Sequence, residues 1–324
     1  MALYADGLIN AGHQGYGFWA AQAAELVALD SITDPALQSG VSTPMGLMAF
    51  PGAQITDNFQ AIETIGSSRD VSEQPGRREV TLNSRIQIAD GTFLLNALRD
   101  RTKLDDAAYR LGLPLFTAET GVGSDFGAGG SWANQYVDCL IDSLRIDFRE
   151  GQPVNAEVQI MAMCELAQTS PQALAIANGD VLMWTHLSWI VDSVDYRSIL
   201  SETSVQINNG CQRTGIRNIY LDGGGDELAI SRTPLKIVPM IEKASVDFGF
   251  YDRLPAALNS TADLGTLTMR AEQPGSGAGR NYLQIAIDHN YLNRRNLAQV
   301  PANQIMRRTF NFASYGVVIT AGQT

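Results

Sequence analysis

The first chemistry to consider is nucleophilic catalysis, because one string in the sequence has the form of a nucleophile motif. The string GSGAG at 275–279 has the G-x-S-x-G form, but a nucleophile elbow needs an apolar strand directly before the serine and a helix directly after it. Here the string lies in a glycine-rich link between two predicted strands. The histidines, His13, His186 and His289, occur in no HExxH motif and beside no candidate nucleophile. We therefore predict no catalytic residue and expect the protein not to be an enzyme.

Phosphate and metal binding are the next possibilities. The glycine-rich string at 121–130 lacks the GK[ST] ending of a phosphate-binding loop and does not fit the dinucleotide fingerprint, so we predict a flexible loop over 119–130. The acidic cluster at 222–227 could hold calcium, but it supplies few carboxylates, and a tight hairpin turn is the favoured interpretation. The sequence predicts neither a cofactor nor a metal site.

Composition limits the class of protein. The chain has 324 residues, of which 45% are apolar and 18% charged, as in folded globular proteins. A net charge of −11 disfavours stable binding of nucleic acid. The cysteines, Cys139, Cys164 and Cys211, lack metal or redox spacing and are expected to be reduced and mostly buried. The N-terminus does not resemble a signal peptide and no apolar run is long enough to span a bilayer, so we expect synthesis in a cytoplasm and no membrane partner.

The clearest structural pattern is a hairpin over 143–162. Apolar and polar side chains alternate on both sides of the turn Glu150-Gly-Gln-Pro153, which predicts two strands with one buried and one solvated face. The predicted buried side chains are Leu144, Ile146, Phe148, Val154, Val158 and Ile160. The predicted solvated side chains are Arg145, Asp147, Arg149, Asn155, Glu157 and Gln159.

The remaining elements repeat a similar order in each half. The first half is predicted to contain a helix over 16–30, strands within 52–66 and over 78–89, and a helix that begins at the cap candidate Asp90. The second half is rich in predicted strands and has one weak helix over 250–258. This similarity suggests a duplicated β-rich unit, with a first domain over 1–175 and a second over 176–324. The predicted fold class is therefore mainly β, in two tandem copies.

The order of these strings resembles the phage tail tube family. In the second half the strings are VQINNG, KASVDFGFYDRL, LTMRAEQ with NYLQIAIDHNYLNRRN, and the closing strand MRRTFNFASYG. In the first half, TLNSRIQIADGTFLLNALRD is followed by LIDSLRIDFREGQPVNAEVQIMA. The resemblance covers roughly residues 45–165 and 185–318. Residues 1–45 match no part of the family pattern.

The resemblance implies a β-sandwich or barrel-like tail tube fold with a flanking helix in each unit. It also implies that three two-unit chains form a ring, that edge strands of neighbouring units pair, and that rings stack into a hollow virion tail through which DNA passes without sticking. Loops within 45–75 and 112–132 are expected to contact the next ring. The implied partners are further copies of the chain, a tape measure protein, and tail terminator and tail tip proteins. The candidate lumen-facing residues are Arg145, Asp147, Arg149, Asn155, Glu157, Gln159, Gln206, Asn208 and Asp247.

A β-sandwich that binds carbohydrate or a cell surface is the alternative function. Trp184 and Trp189 are five positions apart and would face opposite sides of a strand, whereas a sugar platform needs its aromatic rings on one face. Core or interface packing is therefore the preferred interpretation of this pair. Electron microscopy of concentrated protein would separate the two functions, since only the tail tube subunit should form rings and tubes.

Overall fold

The computed structural model is mainly β. It describes residues 15–22, 41, 43–62, 72–98, 113–122, 132–168, 180–214, 236–238, 243–250, 264–275, 279–296 and 308–323. The strands of the first half are β1 (Gly15–Ala21), β2 (Thr43–Pro44), β3 (Leu47–Ile62), β4 (Ser72–Gln87), β5 (Phe116–Val122), β6 (Trp132–Arg149), β7 (Asn155–Ala162) and β8 (Cys164–Gln168). Those of the second half are β9 (Leu187–Val191), β10 (Val194–Asp195), β11 (Leu200–Asn208), β12 (Gln212–Thr214), β13 (Lys236–Val238), β14 (Lys243–Phe250), β15 (Leu267–Glu272), β16 (Asn281–Asn296) and β17 (Arg308–Gln323).

One antiparallel sheet contains all of these strands except β12 and β13, which pair with each other. Its main path runs β10-β9-β15-β16-β17-β14-β11-β6-β5-β1-β2. A branch leaves β6 and runs through β7 and β4 to β3, and β8 also pairs with β6. The short helices in the described residues are 3-10 turns at Thr92–Ala97, Trp184–His186 and Arg197–Ile199. None of the helices described has the length and apolarity that crossing a bilayer requires.

The two branches of the sheet meet on β6. Its first part pairs with β5 on one side and β8 on the other, and its last part pairs with β7 and β11. The change of partners coincides with Asp138, whose φ is 49°, and with a register shift between Ile141 and Ser143. Bulges bend a strand and increase its twist, so this strand carries the chain from one branch into the other.

A single large core cluster draws side chains from both halves of the chain. At its centre the ring of Phe248 lies 4.9 Å from that of Phe312 and 5.1 Å from that of Trp189, measured between centroids. Trp184 also lies in this cluster and is 6% exposed. The preference for core packing of the two tryptophans is confirmed, although Trp184 stands in a 3-10 turn before β9 and not in the strand.

The structure confirms the hairpin over 143–162, in which β6 and β7 pair. It also confirms a strand over most of 78–89, because β4 extends to Gln87. The predicted buried set of the hairpin, from Leu144 to Ile160, is at most 3% exposed.

The predicted helices are not found where the chain is described. Residues 16–21 of the predicted helix over 16–30 belong to strand β1, because β1 pairs with β5 along its whole length and buries Phe18. The helix expected after Asp90 is a 3-10 helix at Thr92–Ala97, whose N-cap position is Gly91 and not the predicted Asp90. The Asp90 carboxylate accepts a hydrogen bond of 3.0 Å from the Thr92 backbone. Beyond Phe250, the predicted helix over 250–258 lies outside the described residues.

Two predicted loops are also partly wrong. Residues 119–122 belong to β5, because the buried carboxylate of Glu119 accepts a hydrogen bond of 2.9 Å from the amide of Gln135 and the strand pairs on both sides. Residues 47–62 and 72–87 form the long hairpin of β3 and β4, so most of the loop expected within 45–75 is strand. The rest of the glycine-rich string, 123–130, lies outside the described residues.

Candidate functional site

Two rows of cross-strand neighbours extend across eight adjacent strands, and the backbone register of the sheet fixes their members. One row of cross-strand neighbours consists of Ala49, Arg85, Glu157, Arg145, Gln206, Ser245, Ala313 and Tyr291. The next row consists of Leu47, Gln87, Asn155, Asp147, Ser204, Asp247, Asn311 and Arg294. Positions two apart on a strand share one face of a sheet, so from β4 to β17 both rows lie on the same side, and most of their side chains there are polar. We call this side the polar face.

All nine residues predicted to line a channel lie on the polar face. Six of them belong to the two rows, as just given. Gln159 and Asn208 stand in a third row, each opposite Ser143. Arg149 stands two positions beyond Asp147 on β6 and is opposite Glu202. The sequence analysis placed these residues on three separate segments, and the structure brings them onto one continuous surface.

The other side of the same strands is apolar and buried. Ile146 and Val205 are opposite each other across the β6·β11 pairing and are at most 1% exposed. Val246 and Phe312 continue this buried row across β14 and β17. The side chains of the polar face are therefore held from behind by a packed core, which limits the geometries they can adopt.

Opposite charges neutralise each other at the centre of the polar face. Arg145 Nε donates a hydrogen bond of 3.0 Å to Asp147 Oδ1, with the two side chains 40% and 15% exposed. Burial alone lowers the pKa of Arg145, but the hydrogen bond to Asp147 and the charges of Asp147, Asp247 and Glu157 raise it, and the net direction is upward. Arg145 therefore stays charged, with carboxylates close to its guanidinium group.

Asp247 has its own partner on the next strand. Asn311 Nδ2 donates a hydrogen bond of 2.5 Å to Asp247 Oδ1. At this point the polar face therefore presents a carboxylate that is held by an amide of the neighbouring strand.

Two open depressions mark the polar face. One of about 540 Å³ is centred where β6, β11, β14 and β17 lie side by side, and Arg149, Glu202 and Asn311 are among its lining residues. The other, of about 520 Å³, lies over β4, β7, β6 and β11. Both are open to solvent and share the lining residue Arg145, so they form parts of one surface and not an enclosed site for a small ligand.

Several residues of this face were missed by the sequence analysis. Asn83, Arg85 and Gln87 alternate with buried residues of β4, so the period-two pattern of that strand could have identified them. Ser204 and Asn311 could not be found in this way, because their positions depend on pairings between strands that are distant in the sequence.

An exposed aromatic cluster lies at the end of the polar face. Tyr291 and Tyr315 are 45% and 60% exposed, and their ring centroids are 5.9 Å apart. The ring of His289 stacks on that of Tyr291 at 6.2 Å. These three side chains lie on β16 and β17, at the opposite end of the eight strands from β3.

His186 has the hydrogen-bond partner expected of a structural histidine, but it lies in the 3-10 turn Trp184–His186 and not in a strand. Its Nδ1 accepts a hydrogen bond of 3.1 Å from the Met183 backbone. Burial, and then the positive charge of Arg197, lower its pKa. His13 and the acidic cluster at 222–227 lie outside the described residues.

In the part of the chain that the structure describes, no group of three or more histidine, cysteine, aspartate or glutamate side chains is arranged to hold a metal ion. Cys139 and Cys211 are buried there, and neither is in a disulfide.

In comparisons with known proteins, the chain matches no family model, and no curated protein sequence is significantly similar to it.

Proposed function

We propose that this protein is the structural subunit of a phage tail tube, in which copies of the chain form stacked rings around a channel for DNA. The observation that carries the proposal is the polar face, which is continuous from β4 to β17 and backed by a buried core. A tube wall needs this division, because one side must meet water and DNA and the other must hold the fold together.

The order of the strands supports two tandem tail tube units. In the first half, β3, β4, β7 and β6 are adjacent in that order; in the second half, β11, β14, β17 and β16 follow the same order. In both halves an additional strand, β5 or β15, pairs with the last of the four. The predicted boundary between 175 and 176 falls between the two sets. The pairing of β6 with β11 then joins the end of one unit to the start of the next.

A ring of three chains has dimensions that suit a DNA channel. Neighbouring strands are about 4.8 Å apart, so three copies of the eight-stranded surface would give a circumference of about 115 Å and a diameter of at least about 37 Å. Tilting the strands relative to the barrel axis increases this diameter. The opposed charges around Arg145 would keep contact with the duplex weak, which is what rapid passage of DNA requires.

The implied setting follows from this role. The protein is made in the cytoplasm of a bacterial host and ends in the virion, in contact with further copies of itself. A tape measure protein and the tail terminator and tip proteins are the other partners. The chain performs no reaction and needs no cofactor, because its action is to close a barrel and to stack.

Electron microscopy and mass measurement test the proposal. Concentrated protein is expected to form rings or tubes, and each ring is expected to contain three chains with approximate sixfold symmetry. The proposal fails if the protein stays dispersed at every concentration and salt condition tested. A map with the polar face on the outside of a tube would also refute it, and six chains in each ring would refute the tandem arrangement.

The aromatic cluster favours carbohydrate binding as a second candidate function. Tyr291 and Tyr315 are exposed and close together, as sugar-stacking residues are. Trp184 and Trp189, the aromatic pair first considered for this role, are buried. A glycan-binding screen that compares the dispersed protein with its variant Tyr315→Ala tests this candidate. Binding that is lost in the variant, together with an absence of rings, would favour it over the tube.

A further inference from the structure

We propose that β16 of one copy pairs antiparallel with β3 of the next copy, with Tyr291 opposite Ala49 and Arg294 opposite Leu47. The partner is a second copy of this chain, and the seam is the one that would close the ring. This inference rests on the proposed function and adds to it the identity of the two edges and their register.

The pairing between β6 and β11 provides the template. There the last strand of the first set of four meets the first strand of the second set, antiparallel, with Arg145 opposite Gln206 and Asp147 opposite Ser204. In the two rows of the polar face, Arg145 and Asp147 hold the fourth position, and Gln206 and Ser204 the fifth.

The ends of the two rows then define the second seam. Each row begins on β3, at Ala49 or Leu47, and ends on β16, at Tyr291 or Arg294. If the order of four strands repeats from chain to chain as it does within the chain, the eighth position of one copy meets the first position of the next. This placement gives the register stated above, and it does not depend on aligning the sequences of the two halves.

Both strands present a backbone edge at these positions. In the described part of the chain, β3 pairs with β4 alone. The pairing of β15 with β16 ends at Ile287, and one more hydrogen bond, of 2.9 Å, runs from the Leu264 backbone to the Asn290 carbonyl. Beyond that point β16 pairs with β17 on one side. An exposed strand edge is a template for pairing with another chain, and the antiparallel alternation of the eight strands suits such a pairing.

The exposed aromatic cluster lies beside this edge. Tyr291 is the terminal residue of its row, and its ring contacts that of Tyr315. Large exposed rings next to an edge are typical of surfaces that become covered on association. In the proposed register, Tyr291 is opposite Ala49, and the side chain of alanine is a single methyl group.

Disulfide trapping in the full-length chain tests the register. The variant Ala49→Cys with Tyr291→Cys is oxidised under assembly conditions, and the products are separated without reductant. Directly opposite residues have Cβ atoms about 4.5–5.5 Å apart, within reach of a disulfide after small adjustments. We expect a ladder of covalent dimers and trimers, absent from each single variant and from the unmodified protein with its native cysteines.

Two matched variants control the trapping. Arg145→Cys with Gln206→Cys has the same placement at the internal seam and should form a disulfide within one chain, giving no ladder. Ala49→Cys with His289→Cys shifts the register by two residues, to Cβ separations near 7–8 Å, and should trap at least tenfold less. A ladder from the shifted pair in place of the first pair would overturn the register.

Hydrogen exchange provides a second test that needs no substitution. On assembly, amides of residues 47–49 and 291–294 should gain protection together, whereas those of 143–149 and 202–208 should already be protected in the unassembled chain. Rings that form with either new edge still unprotected would overturn this inference and leave the tube proposal intact. A complete absence of rings, ladder and added protection would overturn both.

Discussion

If the chain forms the proposed tube, reversing charge on the polar face should make the tube bind DNA. We consider Asp147→Lys together with Glu157→Lys, which replaces two negative charges in each chain by two positive ones. Asp147 is the hydrogen-bonded partner of Arg145, and Glu157 stands opposite Arg145 on β7. The double variant therefore leaves three positive side chains together where the native face has a neutralised group.

The magnitude follows from the number of lysines in a ring. A ring of three chains would present six new lysines, and if each neutralises one phosphate, DNA affinity should fall roughly 10³-fold between 50 and 200 mM salt. The native tube should show weak binding with little dependence on salt. Loss of the partly exposed ion pair should cost only about 0.2–1 kcal/mol of stability, so assembly should persist.

Co-sedimentation of a labelled DNA duplex with assembled tubes measures this effect at the two salt concentrations. In phage particles, the same variant should slow DNA ejection, most strongly at low salt where screening is weak. The matched control is Asp180→Lys with Asp192→Lys, the same charge change at two exposed residues outside the eight strands. Equal DNA binding by the two variants, or variant binding that does not depend on salt, would refute the electrostatic reasoning.

Three further predictions concern stability. Phe248→Ala should lower the free energy of unfolding by about 3–5 kcal/mol in denaturant titrations, because a fully packed ring is lost; a change below about 1 kcal/mol would contradict the packing. Gly316→Ala should lower the melting temperature more than Gly151→Ala does. Both residues have φ near +70°, but only at position 316 would a Cβ contact a side chain, at 2.7 Å from an oxygen of Asp288. Equal effects would show that the Asp288 side chain moves away at little cost in free energy. The lowered pKa of His186 means that its neutral form is favoured in the fold, so its contribution to stability is fully present above the unfolded pKa near 6.5 and is lost as pH falls from there through the lower folded pKa. His186→Gln should therefore weaken the loss of melting temperature between pH 7.5 and 5.5, and an unchanged loss would contradict the shift.

Alternation of apolar and polar residues predicted those strands whose conformation depends on the local sequence. The hairpin over 143–162 was predictable because every second residue of both strands is apolar and the turn contains Gly151 and Pro153. The strand over 15–21 was not, because its sequence continues into good helix formers and its conformation is set by pairing with β5, far along the chain. Glu119 gave a similar failure, since a charged residue in a buried strand requires the amide of Gln135 to satisfy it.

The candidate site shows the same limit. Alternation assigned the polar side of each strand, but the two rows depend on registers between strands that are distant in sequence and on local irregularities. The register shift between Ala49 and Gly52 on β3 is one such irregularity, and no periodic pattern in the sequence indicates it. The position of Tyr291 at the end of its row likewise depends on the order of all the strands in the sheet.

The pairing of β6 with β11 has a consequence for the kinetics of assembly. Because both strands belong to one chain, this seam forms during folding, at the high effective concentration of an intramolecular reaction, which is in the millimolar range for short tethers. In a ring of three chains, half of the six seams would then exist before any two copies meet. Nucleation would require three molecules to associate instead of six, so the rate of ring formation should vary with a lower power of subunit concentration than in tubes built from single units.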